Sequence, residues 1–152
     1  MDEILKVEGL KTSFMTSSGE VQAVRGVSFG VRKGEILGIV GESGSGKSVT
    51  SMTILRLLAD TARIKEGTIR FEGQDLTKVS EKEMRAIRGQ KIAMIFQDPM
   101  SSLNPLVPVG KQVAEIMKIH HPEMKPEQLK QRTLELFEQV RIPEAAKRLR
   151  SY

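Results

Sequence analysis

The stretch that decides the fold is Gly41-Glu42-Ser43-Gly44-Ser45-Gly46-Lys47-Ser48. It fits the pattern G-x-x-x-x-G-K-[ST] at every fixed position, and the glycines of that pattern let the backbone come close to phosphate groups. The N–H groups of such a loop point inward as an anion nest, and the helix that follows adds the positive end of its dipole. The spacing therefore predicts a phosphate-binding loop at residues 41–48, called the phosphate loop below.

The residues on either side strengthen this prediction. Residues 36–40 form a short run rich in β-branched side chains, as expected of a strand buried on both faces. Residues 49–58 then place Met52, Leu55 and Leu58 on one face of a predicted helix. The order strand, glycine loop, helix is the context that the pattern requires, whereas a merely flexible Gly/Ser turn does not explain it.

The predicted ligands of the phosphate loop are ATP, or a close purine nucleotide, and Mg²⁺. Lys47 is expected to reach the β- and γ-phosphates, which makes it a candidate catalytic residue. Ser48 is expected to offer its hydroxyl to Mg²⁺, which prefers oxygen ligands. The residues expected to contact the nucleotide are those of the phosphate loop and Val49. Small GTPases share this loop, but they also need an Asn-Lys-x-Asp motif, which the sequence lacks.

Other segments show clear periodicity. Alternation in residues 4–10 and 21–31, with a turn at 15–20, predicts a small antiparallel sheet at the front of the chain. Residues 68–71 predict another strand, and residues 92–96 a second buried strand. Ser80 and Glu83 fit a capping box that opens a helix ending near Arg88. Helices are also predicted at residues 109–118 and 126–140, the latter starting at Pro126 and burying a stripe of Leu129, Thr133, Leu136, Phe137 and Val140.

Composition limits the possible classes of protein. The chain has 152 residues, 39% hydrophobic and 28% charged, which suits one domain with a sizeable core. It has no Cys, so disulfides and cysteine metal sites are excluded. The net charge of +5 is spread along the chain without interleaved aromatic residues, so no nucleic-acid partner is predicted. No secretory signal is predicted at the N-terminus, and no apolar run in the sequence is long enough to span a bilayer.

Three features resemble the ATPases of ABC transporters, specifically the type that powers bacterial dipeptide and oligopeptide uptake. The sequence of residues 34–49 closely resembles that of this subfamily around the phosphate loop. Residues 94–105, Met-Ile-Phe-Gln-Asp-Pro-Met-Ser-Ser-Leu-Asn-Pro, resemble the family's Q-loop. Phe14 stands where the family places an aromatic ring after the first strand. The resemblance runs along the whole chain.

The resemblance implies roles for single residues. Phe14 would stack on adenine, although an ordinary core or hairpin phenylalanine is the alternative. Gln97 would reach Mg²⁺ and the attacking water, as a second catalytic candidate. Residues 98–109 would face transmembrane permease subunits, with Met100, Leu103 and Leu106 as a docking surface or as local packing. A second ABC ATPase subunit would complete a homo- or heterodimer at the cytoplasmic face of the membrane. By contrast, His120 and His121 are interpreted as a surface pair rather than a metal site.

The implied fold is α/β: an incomplete P-loop NTPase core with an N-terminal antiparallel β subdomain and the start of a helical subdomain. We expect one nucleotide-binding domain over 1–152, divided into an antiparallel part (1–34), a core part (35–98) and a helical part (99–152). The family's Leu-Ser-Gly-Gly signature, the Asp that holds Mg²⁺, the catalytic Glu and the switch His are not found in this sequence. The polypeptide is therefore expected to be a fragment that binds nucleotide without useful hydrolysis.

The function predicted for the full-length parent is ATP hydrolysis that drives peptide import. Three alternatives stay open at this point. The polypeptide could be a non-hydrolysing nucleotide-binding fragment, an ABC ATPase for another solute such as nickel, or one that acts on nucleic acid. Residues 98–109 favour the importer type over the last of these.

Overall fold

The computed structural model describes residues 3–98 and 102–152. They form two compact units, Met1–Arg88 and Gly89–Tyr152, and each unit is considered by itself. The first unit holds the strands and the phosphate loop. The second unit holds helices.

A four-stranded antiparallel sheet builds the first unit, with the strand order β2-β1-β3-β4. The strands are β1 (Glu3–Thr16), β2 (Gly19–Arg32), β3 (Ala62–Phe71) and β4 (Gln74–Asp75). β1 and β2 form a hairpin through a turn at Ser17 and Ser18, and β1 pairs along its other edge with β3. The predicted antiparallel sheet is confirmed, although β3 begins six residues before the predicted strand at 68–71.

One face of this sheet carries the core of the unit. The fully buried side chains of the strands include Val7, Leu10 and Ile69, each at most 1% exposed. Helix α1 (Lys47–Ile54) packs on the sheet with Thr50, Thr53 and Ile54 buried. The hydroxyls of Thr12 on β1 and Thr53 on α1 lie 3.3 Å apart in a buried hydrogen bond. A polar pair thus fixes α1 to the inner strand β1 within a mainly apolar core.

Helix α1 is shorter than the predicted helix at residues 49–58. It ends at Ile54 because Arg56 adopts a left-handed conformation, with φ of 51°. The Arg56 N–H donates to Thr53 O and the Leu57 N–H to Met52 O, at 3.0 and 2.9 Å. This pair of bonds is a Schellman motif, which usually has glycine at the left-handed position. Nothing in the helical periodicity of the sequence signals this end, because an arginine occupies the glycine position.

The expectation of buried strands at residues 36–40 and 92–96 is wrong for this structure. Residues 35–42 and 93–96 have no regular secondary structure. Ile36, Val40 and Ile95 are 97%, 93% and 98% exposed. A buried parallel strand needs hydrogen-bonding neighbours and covered faces. Among the described residues, every paired strand belongs to the antiparallel sheet. Apart from an isolated bridge at Ile92, neither segment has a neighbour in the described chain to form a ladder with.

Helices α3 (Val109–His120), α4 (Pro126–Gln139) and α5 (Ala145–Arg148) make up the second unit. The predictions of α3 and α4 are confirmed within two residues at each end. On α4, Leu129, Thr133 and Phe137 are buried as the stripe predicts, but Val140 lies past the helix end and is 69% exposed. Gly110 on α3 lies against Leu149, where a Cβ would meet the Leu149 oxygen at 2.5 Å.

The capping box at Ser80 and Glu83 is confirmed at the start of α2 (Glu81–Ile87). The Glu83 N–H donates to Ser80 Oγ at 3.3 Å, and the Ser80 N–H donates to Glu83 Oε2 at 2.7 Å. The hydrogen bond from the Ser80 hydroxyl is the main reason that the pKa of Glu83 is lowered, and the bond from the Ser80 N–H adds to it. The carboxylate form is therefore the one that the folded state prefers.

We expect Ser80→Ala to lower the free energy of unfolding by about 1 kcal/mol, the usual value for a lost N-cap side chain. Urea unfolding measures the change, with Ser17→Ala in the hairpin turn as the control. Because the pKa of Glu83 is lower in the folded state, its contribution is complete above the ordinary glutamate pKa. It is lost as the pH falls through the lowered value. The difference between wild type and Ser80→Ala should therefore shrink in acid, and a constant difference would contradict this account.

Candidate phosphate-binding site

The phosphate loop joins the exposed residues 36–40 to the first turn of α1. Its last glycine, Gly46, has φ of 92° and lies against β2. A Cβ at Gly46 would meet the Ala23 carbonyl oxygen at 2.5 Å, closer than any side chain tolerates. Gly44 also has a positive φ, 80°, but nothing lies within 4 Å of its Cβ position. Gly46 is therefore required for two independent reasons, backbone conformation and close approach, and Gly44 for only the first.

The Lys47 side chain folds back over the loop. Its ammonium donates to Gly41 O at 2.7 Å, to Glu42 O at 2.6 Å and to Ser45 Oγ at 3.4 Å. The loop backbone is further closed by the Ser45 N–H, which donates to Glu42 O at 3.2 Å. The ammonium thus lies at the centre of the curved loop, held by neutral oxygens and by no carboxylate among these contacts. A cation in this position leaves its charge available to an anion that enters the loop.

The first turn of α1 offers unpaired donors at the same place. The first intrahelical bond runs from the Thr50 N–H to Gly46 O, at 2.8 Å. The N–H groups of Lys47, Ser48 and Val49 precede it and cannot have an intrahelical acceptor. Among the described residues no side chain caps this helix end, and its first turn has no acidic residue. Such an end attracts anions through its N–H groups and its dipole, so the residues present fit a phosphate group.

The remaining predicted site residues are distributed over the two units. Ser48 is exposed at the mouth of the loop. Phe14 is half-buried on β1, where its backbone neighbours are Val21 on β2 and Ala62 on β3. Gln97 is exposed and belongs to the second unit, so its role stays a prediction.

The predicted docking segment, residues 98–109, is only partly described. Met100 falls outside the described residues, whereas Leu103 and Leu106 are 48% and 84% exposed. Gln112 on α3 braces this segment: its amide accepts from the Asn104 N–H at 2.9 Å and donates to Asn104 O and Val107 O at 2.9 and 2.6 Å. Nothing in the sequence indicates this role, because a helical glutamine carries no signal of a contact eight residues away.

His121 lies beside a carboxylate, with Nδ1 3.3 Å from Glu123 Oε1. Within residues 3–98 and 102–152 there is no group of three or more His, Cys, Asp and Glu suited to a metal ion. Nor is any helix of the described chain long and apolar enough to cross a membrane.

Comparison with known proteins identifies the family. The family model described as ABC transporter matches residues 24–152, which include the phosphate loop, the rest of the first unit from residue 24 onward and the whole second unit. This chain belongs to the ABC transporter family. Its curated relatives include the oligopeptide transport ATP-binding protein OppD of Bacillus subtilis, 52% identical over 98% of this chain and 42% of the relative. The dipeptide transport ATP-binding protein DppD of the same organism is 48% identical over 100% of this chain and 45% of the relative.

Solved structures support the cassette fold. A dimeric bacterial ABC transporter cassette matches with a TM-score of 0.82 at 23% identity, over 97% of this chain and 60% of that one. A dimeric ATP-binding cassette bound to ADP and Pi in a post-hydrolysis state matches with a TM-score of 0.80 at 21% identity, with the same coverages. The fold class predicted from the sequence is thereby confirmed. The ABC chain spans less than half the length of the curated relatives described above.

Substitution of the two glycines separates close approach from backbone conformation. We expect Gly44→Ala to lower the free energy of unfolding by about 1 kcal/mol, the cost of a left-handed alanine. Gly46→Ala should cost clearly more, because the new methyl group must also displace the Ala23 backbone. Urea unfolding of the two variants gives the comparison, with Gly44→Ala as the matched control. Equal losses would show that α1 does not press on β2 as described.

Proposed function

We propose that this ABC chain binds Mg-ATP in the phosphate loop and is part of an ATP-binding subunit that energises peptide import. The observation that carries the proposal is the Lys47 ammonium, held by Gly41 O and Glu42 O at the uncapped start of α1. A cation and a set of free N–H groups that converge on one exposed loop match the charge and the oxygen atoms of a triphosphate.

Each residue has a distinct part in this proposal. The N–H groups of the loop and of α1 would bind phosphate oxygens, and Lys47 would leave the loop carbonyls to pair with the β- and γ-phosphates. Ser48 would give its hydroxyl to Mg²⁺, and Gln97 would contribute an amide oxygen to the same ion. Phe14 would stack on the adenine ring. The bound Mg²⁺ would neutralise phosphate charge, which is its general contribution to phosphoryl transfer.

Peptide import is proposed from the relatives. OppD and DppD are named as transport ATP-binding proteins for oligopeptides and dipeptides, and both cover nearly the whole of this chain. In the whole protein, ATP hydrolysis would drive uptake of peptides through permease subunits at the cytoplasmic face of the membrane. Residues 98–109 would contact those subunits, which suits the exposure of Leu103 and Leu106. A second ATP-binding subunit would complete the pair, as in the dimeric cassettes that share this fold.

Calorimetry with Mg-ATP tests the nucleotide site. We expect the wild-type chain to bind, and Lys47→Ala to bind at least about tenfold more weakly, since a charge-assisted bond to phosphate is lost. Lys82→Ala is the matched control: it removes the same charge from an exposed position on α2 in the same unit. If the wild-type chain does not bind, or if both variants bind alike, the phosphate loop is not the site.

The role of Ser48 is tested by the metal dependence of binding. Ser48→Ala should weaken ATP binding in the presence of Mg²⁺ and leave it unchanged in EDTA, because the lost hydroxyl is a ligand of the ion alone. Ser51→Ala serves as the control, since Ser51 lies one turn further along α1, where its hydroxyl donates to Lys47 O at 3.3 Å. A loss of equal size with and without Mg²⁺ would assign Ser48 to the loop rather than to the metal.

A further inference from the structure

The end of α1 opposite the phosphate loop has an unusual cap. Arg56 holds the left-handed position of the Schellman motif, where a side chain strains the backbone and glycine is normal. Its guanidinium is also engaged: Nη1 donates to Val79 O at 2.6 Å. A strained conformation of this kind persists only where the surroundings hold it in place.

Arg88 is the group that holds it. Its Nε donates to Leu55 O at 2.7 Å and its Nη2 donates to Arg56 O at 3.0 Å. The third arm of the fork, Nη1, donates to Glu81 Oε1 at 2.6 Å. The Arg88 side chain is only 21% exposed, so water replaces these bonds poorly. One planar guanidinium therefore binds two carbonyls just after α1 and one carboxylate on α2.

Glu81 completes the cluster as the carboxylate partner of Arg88. It lies 3.8 Å from Arg56 Nη2 and 3.6 Å from Arg85 Nε, as well as against Arg88. The hydrogen bond from Arg88 is the main reason that the pKa of Glu81 is lowered. The position between three arginines thus favours the charged form of the Glu81 carboxyl group.

The two ends of α1 cannot act independently. The helix has eight residues, which is just over two turns and about 12 Å in length. Isolated helices of this length are not stable, so its first turn depends on tertiary contacts further along. The same first turn supplies the N–H groups of the phosphate loop. A loss of order at Leu55 and Arg56 would therefore also destabilise the first turn of α1 at Lys47 and Ser48.

We propose that Arg88 is a positioning residue of the nucleotide site, acting through the left-handed cap at Arg56 to hold α1 and hence the phosphate loop. This inference rests on the proposed nucleotide-binding function for its binding measurement. Positive charge at the C-terminal end of α1 also complements the helix dipole. Arg88 itself needs no contact with the nucleotide for this role.

The first test compares Mg-ATP binding by Arg88→Ala and Glu81→Gln. We expect Arg88→Ala to weaken binding at least about tenfold, because two carbonyls beside α1 lose their charged donor. Glu81→Gln keeps both of those bonds and loses only the ion pairs of a half-exposed carboxylate with Arg56, Arg85 and Arg88, so its affinity should change by less than about threefold. Arg88→Ala binding as tightly as wild type would overturn the proposal.

A rescue experiment separates positioning from general damage. Arg56→Gly places the normal residue at the left-handed cap, so α1 should no longer depend on Arg88. The double variant Arg56→Gly/Arg88→Ala should therefore recover most of the affinity lost in Arg88→Ala. A role of Arg88 through its ion pair with Glu81 predicts no recovery, and that result would overturn the proposal. If Arg88→Ala does not fold, Arg88→Lys with and without Arg56→Gly gives the same comparison, since lysine lacks the planar fork.

Amide hydrogen exchange keeps this inference distinct from the proposed function. The Arg56 and Leu57 amides close the Schellman motif, and they should exchange faster in Arg88→Ala and regain protection in the double variant. This readout needs no nucleotide. If wild type fails to bind Mg-ATP while these amides behave as stated, the proposed function is wrong and the Arg88 cap stands without its nucleotide role. Unchanged exchange of these amides in Arg88→Ala would show that Arg88 does not hold the left-handed cap at Arg56.

Discussion

The close contact between the start of α1 and the sheet governs the first unit. Gly46 lies against the Ala23 carbonyl, and seven residues later Thr53 shares a buried hydrogen bond with Thr12. These two contacts fix one short helix at both of its turns. Everything proposed for the phosphate loop depends on them, because the loop's donors are the first N–H groups of that helix. The sheet is therefore the platform for the site, although none of its hydrogen bonds is part of the site.

Local chemistry made part of this arrangement predictable. The spacing of glycines, Lys47 and Ser48 specifies the loop, since only such residues permit close approach to an anion. The capping box at Ser80 and Glu83 is likewise a matter of four adjacent residues. The antiparallel sheet and α4 follow from alternation and from the helical stripe. In each case the determining contacts lie close together along the chain or repeat with a fixed period.

What the sequence did not reveal depends on contacts between distant segments. The end of α1 at Ile54 follows from Arg56 in a glycine position, and that position is held by Arg88, thirty-three residues from Leu55. The residues 36–40 have a composition typical of a buried strand, but a strand also needs a neighbour, and composition does not say where the neighbour is. Likewise, nothing in the sequence around Gln112 indicates that it braces residues 104–107.

The exposure of residues 36–40 has a consequence for how the polypeptide behaves in solution. Ile36, Leu37, Ile39 and Val40 form an uncharged window of high β-propensity without proline, and they are 97%, 40%, 46% and 93% exposed. Windows of this kind readily pair with identical segments of other molecules and seed cross-β assembly. The same apolar character that suits a strand buried in a sheet thus makes this segment prone to self-association when it lies in water. Concentration and chaperone supply, rather than the strength of the core, are then expected to decide the yield of folded chain.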